Sequence, residues 1–294
     1  MKDLISDAES LVPASAFGDG VDRRVFLKAA LGSGFAVAAL PVVAQTQIQT
    51  STEGLDAADH IIVINGQDVP VYRAQPKDRS KLPVVLVISE IFGVHEHIKD
   101  VARRLARAGY MAVAPDLFVR QGDAAKAPDV ATLIKEIVAR TPDAQVMSDL
   151  DTVVAWARQR GGNTDKLGIT GFCWGGRITW LYAAHNPNVK AGVAWYGRLV
   201  GEANALQTRH PIDIAQALKV PVLGLYGAKD GGIPLESVER MRQALDTGNS
   251  KSMIHVYPNS GHAFHADYRP SFNAIDAQDG WAKALNWFAR HGVA

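Results

Sequence analysis

Cysteine is nearly missing from this chain: Cys173 is the single one among 294 residues. That excludes an internal disulfide and a cysteine-built metal centre. A surplus of charge is missing too. Lysine and arginine number 31 against 30 aspartates and glutamates, for a net charge of +1. Nothing therefore points to a nucleic-acid partner or to a charged membrane surface. No repeat, low-complexity tract or Pro/Gly/Ser-rich linker divides the chain. The uncharged stretch from Ala29 to Val43 has 15 residues, and a permanent membrane helix needs about 20. What is present is 47% hydrophobic and 21% charged. That is ordinary globular composition, long enough for one large α/β domain.

The N-terminus reads as an export signal. Asp22-Arg23-Arg24-Val25-Phe26-Leu27-Lys28 resembles a twin-arginine motif. Val42-Val43-Ala44 puts small residues at the two positions that a signal peptidase reads, so cleavage is expected after Ala44. The expected organisation is a signal peptide over 1–44, a flexible leader over 45–58 and one domain over 59–294. The twin-arginine machinery implies a bacterial protein that folds before it crosses to the periplasm or beyond. It carries no stable membrane anchor and is expected to be a monomer. A lone thiol suits this route, because it has no partner with which to mispair.

From Asp59 onward strands and helices alternate. His60 to Asn65 and Val69 to Ala74 read as a hairpin around Gly66-Gln67-Asp68. Val84 to Ser89 is a continuous apolar run, as in a strand buried on both faces. His97 to Ala108 has apolar residues at helical spacing and is stopped by Gly109. Tyr110–Ala114, Lys166–Thr170, Ala191–Trp195, Val222–Tyr226 and Ser252–Tyr257 read as further strands. Thr132–Ala139, Val146–Gln159, Arg177–His185, Leu235–Leu245 and Gly280–Arg290 read as helices. The pattern predicts an α/β fold with a mostly parallel central sheet and helices on both faces. In such sheets, function gathers at the carboxyl ends of the strands.

The chemically distinctive residues follow strands. Cys173 lies in Gly171-Phe172-Cys173-Trp174-Gly175-Gly176, between a strand and a helix, which is the pattern of a nucleophile elbow. Asp230 follows Val222–Tyr226, and His262 follows Ser252–Tyr257. Nucleophile, acid, histidine is the order seen in α/β-hydrolases. A thiolate would attack a carbonyl carbon, the imidazole would move the proton, and the carboxylate would orient the imidazole. The helix after Cys173 would aim amide donors at the sulfur and at a developing oxyanion. Glu90 ends the run Val84–Ser89, where a carboxylate is costly unless paired or used. The oxyanion hole of this fold points to the backbone N–H groups of Ile91 and Trp174. His95 and His97 lie near this edge, and their spacing makes only a weak metal signal.

Four segments carry a family resemblance: Gly171-Phe172-Cys173-Trp174-Gly175-Gly176, Ser89-Glu90-Ile91-Phe92-Gly93, Pro115-Asp116-Leu117-Phe118-Val119-Arg120 and Gly261-His262-Ala263-Phe264. Together they resemble dienelactone hydrolases (carboxymethylenebutenolidases) over residues 60 to 292. The resemblance implies an α/β-hydrolase fold, a Cys173–His262–Asp230 triad, and a Glu90 that holds the resting thiol and is displaced when substrate binds. It implies opening of a small anionic lactone, as dienelactone is opened to maleylacetate, with no metal or organic cofactor. It also places Arg120 on the substrate carboxylate. The chain departs from the family at Ala263 and Ala266, where studied members carry a serine and a second arginine. Arg269 or Arg198 could stand in for the latter. Two alternatives stay open: a broad-specificity periplasmic carboxylesterase on the same triad, and a non-catalytic binding protein on a hydrolase scaffold.

Overall fold

The computed structural model describes residues 48–294, so the segment read as an export signal lies outside the described residues. Eight strands form one sheet: β1 (Leu55–Ile64), β2 (Gln67–Pro76), β3 (Pro83–Ile88), β4 (Met111–Pro115), β5 (Asn163–Phe172), β6 (Val189–Trp195), β7 (Val222–Gly227) and β8 (Met253–Tyr257). Their order across the sheet is β1-β2-β4-β3-β5-β6-β7-β8. β1 and β2 form the expected antiparallel hairpin, and β2 also pairs antiparallel with β4. Every other pairing is parallel. Five helices matter here: α1 (Glu96–Arg107), α2 (Asp143–Gln159), α3 (Trp174–His185), α4 (Leu235–Asp246) and α5 (Ala274–Arg290).

The burial of each strand shows where the layers lie. Successive residues of β4 and β7 are buried without alternation, and so are those of β3 after Pro83. Side chains on both faces of the sheet are therefore covered, as a parallel sheet requires. β1 behaves differently, because it is an edge strand. Ile62 and Ile64 are buried, while Ile61 and Val63 are exposed. This is the alternation of a strand with one wet face.

Three differences from the sequence reading have a visible physical cause. β1 starts at Leu55, inside the stretch read as a leader. Ahead of it, the Ile48 amide donates to Asp267 at 2.8 Å and the Thr50 amide to Asp100 at 2.6 Å. Buried carboxylates hold this segment, so from Ile48 onward it belongs to the folded body. The closing helix starts at Ala274 instead of Gly280, because Asn273 caps it by accepting from the Asp276 amide. The region read as a helix over Thr132–Ala139 is a helical turn, a π turn and a 3-10 turn in succession. Pro142 ends it by pushing Thr141 into extended backbone.

The contact that sets the site is where α3 leaves β5. A Cβ on Gly171 would lie 2.2 Å from the Gly175 carbonyl oxygen. A Cβ on Gly175 would lie 2.4 Å from the Ile88 oxygen, and one on Gly176 2.5 Å from the Trp195 oxygen. These neighbours are backbone and cannot rotate away. Gly175→Ala should therefore destabilise the fold by roughly 1–3 kcal/mol. Urea unfolding monitored by circular dichroism checks this, and an unchanged midpoint would contradict the close approach.

Candidate active site

Five parallel strands, β3, β5, β6, β7 and β8, end at one edge of the sheet. Each is followed within a few residues by a side chain of chemical interest: Glu90, Cys173, Tyr196, Asp230 and His262. Cys173 sits at the turn into α3 with φ 54° and ψ −115°. A non-glycine residue in that region is strained and persists only when its surroundings hold it there. Its amide donates to the Trp195 oxygen at 3.0 Å, and its carbonyl accepts from Arg177 at 3.2 Å. Trp174 is the first residue of α3, so its amide has no partner four residues earlier within the helix. Ile91 follows Glu90 in the loop after β3, against which Gly175 packs.

His262 and Asp230 meet as their order suggested. Nδ1 of His262 donates to Asp230 Oδ2 at 2.7 Å. The other oxygen of Asp230 accepts from the amides of Gly232 at 2.9 Å and Ile233 at 3.2 Å. Both carboxylate oxygens are thus held, and the imidazole is oriented. Burial pulls the His262 pKa down, but the Asp230 carboxylate and the Cys173 sulfur overcome this and hold it well above its usual value. Nε2 of His262 is buried and faces the Cys173 sulfur, whose hydrogen bond helps to hold the imidazole charged.

Glu90 is buried, and its Oε2 accepts a hydrogen bond from the Tyr268 hydroxyl. Its Oε1 has no partner. Tyr268 in turn accepts from Arg269 Nε at 3.2 Å. The Arg269 guanidinium lies 4.9 Å over the Phe92 ring and 5.2 Å over the Tyr268 ring. Burial opposes its charge, but Tyr268, Glu90 and Cys173 all favour it. Arg269 is therefore a fixed positive charge that acts on Glu90 and on the sulfur. Tyr268 and Tyr196 were not anticipated from the sequence. Both lie in loops after strands, where no periodicity singles out a residue. The one available signal was position, just beyond β8 and β6.

His95 and His97 lie behind this cluster. Nδ1 of His97 is 2.7 Å from Asp267 Oδ1, and both side chains are fully buried. His95 Nε2 is 4.0 Å from Glu90 Oε2. Arg120, expected to bind the substrate carboxylate, is placed elsewhere. It pairs with Asp149 on α2 and donates to the Ile64 oxygen of β1 at 3.0 Å. Asp149 is 1% exposed, and burial pushes its carboxyl up against the pull of Arg120. Diverting Arg120 to a substrate would strand that carboxylate, which is a costly arrangement.

A mostly parallel sheet, a strained Cys173 turn between β5 and α3 and a His–Asp pair after β8 and β7 define an α/β-hydrolase fold. The sequence profile of the "Dienelactone hydrolase family" matches residues 69–292, and the chain belongs to that family. A "Putative carboxymethylenebutenolidase" of Methylorubrum extorquens is 54% identical over 275 residues, 93% of this chain and 94% of the relative. The crystal structure of a "Putative Dienelactone Hydrolase" from Klebsiella pneumoniae is 56% identical with a TM-score of 0.79, covering 80% of this chain and 99% of that one. A Bradyrhizobium protein named "Probable 2-oxo-3-(5-oxofuran-2-ylidene)propanoate lactonase" is 31% identical over 246 residues, 82% of this chain and 96% of its own length. The protein is a hydrolase.

The buried histidines give the site an acid limit. Burial holds His95 and His265 well below their usual value of 6.5. The unfolded chain takes up protons at these residues below about pH 6.5, and the folded one resists, so acid favours unfolding. His262 works with the opposite sign: its contribution is complete below 6.5 and lost as pH rises through its elevated pKa. Urea midpoints should therefore fall from pH 7 to pH 5, with a slope of up to about 1.4 kcal/mol per pH unit per histidine. His95→Asn should flatten that slope; an unchanged slope would contradict the assignment.

Proposed function

We propose that the protein hydrolyses a small, anionic lactone or ester through Cys173, with His262 and Asp230 completing a triad. The observation that carries this is Cys173 strained at the start of α3, beside a His262 already oriented by Asp230. Glu90 Oε1 takes the thiol proton: the S–H bond breaks, an O–H bond forms, and the electron pair stays on sulfur. The thiolate attacks the carbonyl carbon. The amides of Ile91 and Trp174 receive the oxyanion. His262 protonates the departing oxygen, leaving an acyl thioester, and then takes a proton from a water whose oxygen attacks the thioester carbonyl; the C–S bond breaks, the acid leaves, and the sulfur takes back the proton held by Glu90.

The preference for an anion rests on Arg269. Its charge stands beside Cys173 and Glu90, and Arg120 is committed to Asp149. The likeness to a Bradyrhizobium protein named for a lactone with a carboxylate supports the same reading. Ala263 and Ala266 are buried and leave no side-chain charge at the positions next to the histidine. Arg269 supplies it instead, from the turn closed by the Arg269 amide on the Ala266 oxygen at 2.9 Å.

Cys173→Ala should lower kcat by about 10⁴-fold or more. Enol-lactone opening at the normal rate by that variant would end this proposal. Arg269→Ala should raise KM for anionic esters roughly 10-fold and leave neutral esters nearly unchanged. Arg120→Ala should instead lower the unfolding midpoint and leave the ratio of the two KM values as it was. The export reading of residues 1–44 also stays a proposal, resting on Arg23-Arg24 and Val42-Val43-Ala44. Replacing Arg23 and Arg24 with lysine should retain the full-length chain in the cytoplasm on cell fractionation.

A further inference from the structure

Tyr196 carries the polar atom that the fold leaves least explained. The residue is 0% exposed, and its hydroxyl has no hydrogen-bond partner. Buried hydroxyls are nearly always paired, so an unpaired one calls for a reason. Its backbone is strained as well, with φ 38°. Two contacts hold it there. The Tyr196 amide donates to the Leu225 oxygen at 2.8 Å. Gly197 packs so tightly on α3 that a Cβ would lie 2.3 Å from the Gly176 carbonyl carbon. The direction of the side chain is therefore set by the same backbone contact that sets Cys173.

The two ends of the side chain face different surroundings. The ring lies edge-on to His262, with centroids 5.1 Å apart, and to Phe264 at 5.4 Å. The hydroxyl end feels Glu90, Tyr268, Cys173 and Arg269. Burial and the first three of these push its pKa well above 10.0, so it is a neutral phenol at working pH and can only donate or accept a hydrogen bond. Glu90 Oε1, an acceptor, is also unpaired. An unpaired donor and an unpaired acceptor are thus buried on the same side of the sheet without meeting each other.

We propose that Tyr196 is a substrate-binding residue, whose hydroxyl donates to the carboxylate of an anionic lactone or ester that Arg269 attracts. The proposal rests on the reading of Cys173 as nucleophile and Arg269 as the anion's partner. The reacting carbonyl already has its own donors in the Ile91 and Trp174 amides. The hydroxyl is unpaired on a ring 5.1 Å from His262, and the charges of Glu90 and Arg269 reach it, so it can serve a second negative group that enters there. A neutral donor there holds the carboxylate without spending another charge, and hydrogen bonds to ionised groups are the strong ones.

The test uses Tyr196→Phe, which keeps the ring against His262. Two p-nitrophenyl esters of equal acyl length serve as substrates, the succinate half-ester and the butyrate. The variant should raise KM for the half-ester roughly 10-fold, with kcat nearly unchanged, and leave the butyrate unaffected. Succinate itself should protect Cys173 from iodoacetamide at a correspondingly higher concentration than in the unaltered protein, a readout that needs no turnover. The variant should unfold at the same or a higher urea concentration, because it loses an unpaired buried hydroxyl. Equal loss of kcat on both esters would overturn the proposal, and so would unchanged KM and unchanged protection. If Arg269→Ala still weakens succinate protection while Tyr196→Phe does not, only the Tyr196 assignment falls. If neither does, or if Cys173→Ala stays active, the underlying reading falls with it.

Discussion

Between β5 and α3 there is no room for a methyl group. Gly171, Gly175 and Gly176 let α3 begin directly against the ends of β3, β5 and β6. The Cys173 turn follows from that contact, because a strand this close to its next helix must reverse within a residue or two. The Trp174 amide comes next to the loop carrying Glu90 and Ile91 for the same reason. Gly197 answers from the other side, packing on Gly176 and fixing the direction of Tyr196. The Cys173 turn, the Trp174 amide and the buried phenol are set by one backbone-to-backbone approach.

Around this contact the protein buries polar groups at a density that a core would not tolerate without pairing. Asp230 uses both oxygens, on His262 and on two amides. Glu90 uses one, on Tyr268, and keeps the other unpaired. Asp149 takes Arg120, and Asp267 takes His97. The unpaired atoms are the informative ones. Glu90 Oε1 and the Tyr196 hydroxyl both belong to residues that follow strand ends on the side of Cys173. Leaving such atoms unpaired costs stability in the free protein and makes sense where a bound molecule completes them.

Much of this could be read in advance, and the limits were physical. The alternation of apolar runs and helical spacing pointed to the parallel sheet, because strands buried on both faces leave a simple signal. Gly-x-Cys-x-Gly, Asp230 and His262 were legible because each lies just after such a strand. The partner of Arg120 was not legible because a sequence shows a cation without showing what it pairs with, and Asp149 lies on a different element. Tyr268 and Tyr196 escaped for the complementary reason, and Arg269 was only one of two candidates. Loop residues have no period, and their role depends on which strand end the loop folds over. The start of α5 was missed because its cap, Asn273, acts through a side chain and not through a hydrophobic pattern.

Asp267 joins two parts of the molecule. Its carboxylate accepts the Ile48 amide, and the next residues along the chain are Tyr268 and Arg269. A few ångströms away, Asp100 grips Thr50 while also holding Arg103 and Arg104. A shortened version begun at β1 would remove main-chain donors from two buried carboxylates at once. One of them is covalently next to the arm that steadies Glu90. Trimming the chain ahead of the sheet is thus an alteration at the back wall of the site, and fusion junctions or protease sites are better placed upstream of Ile48.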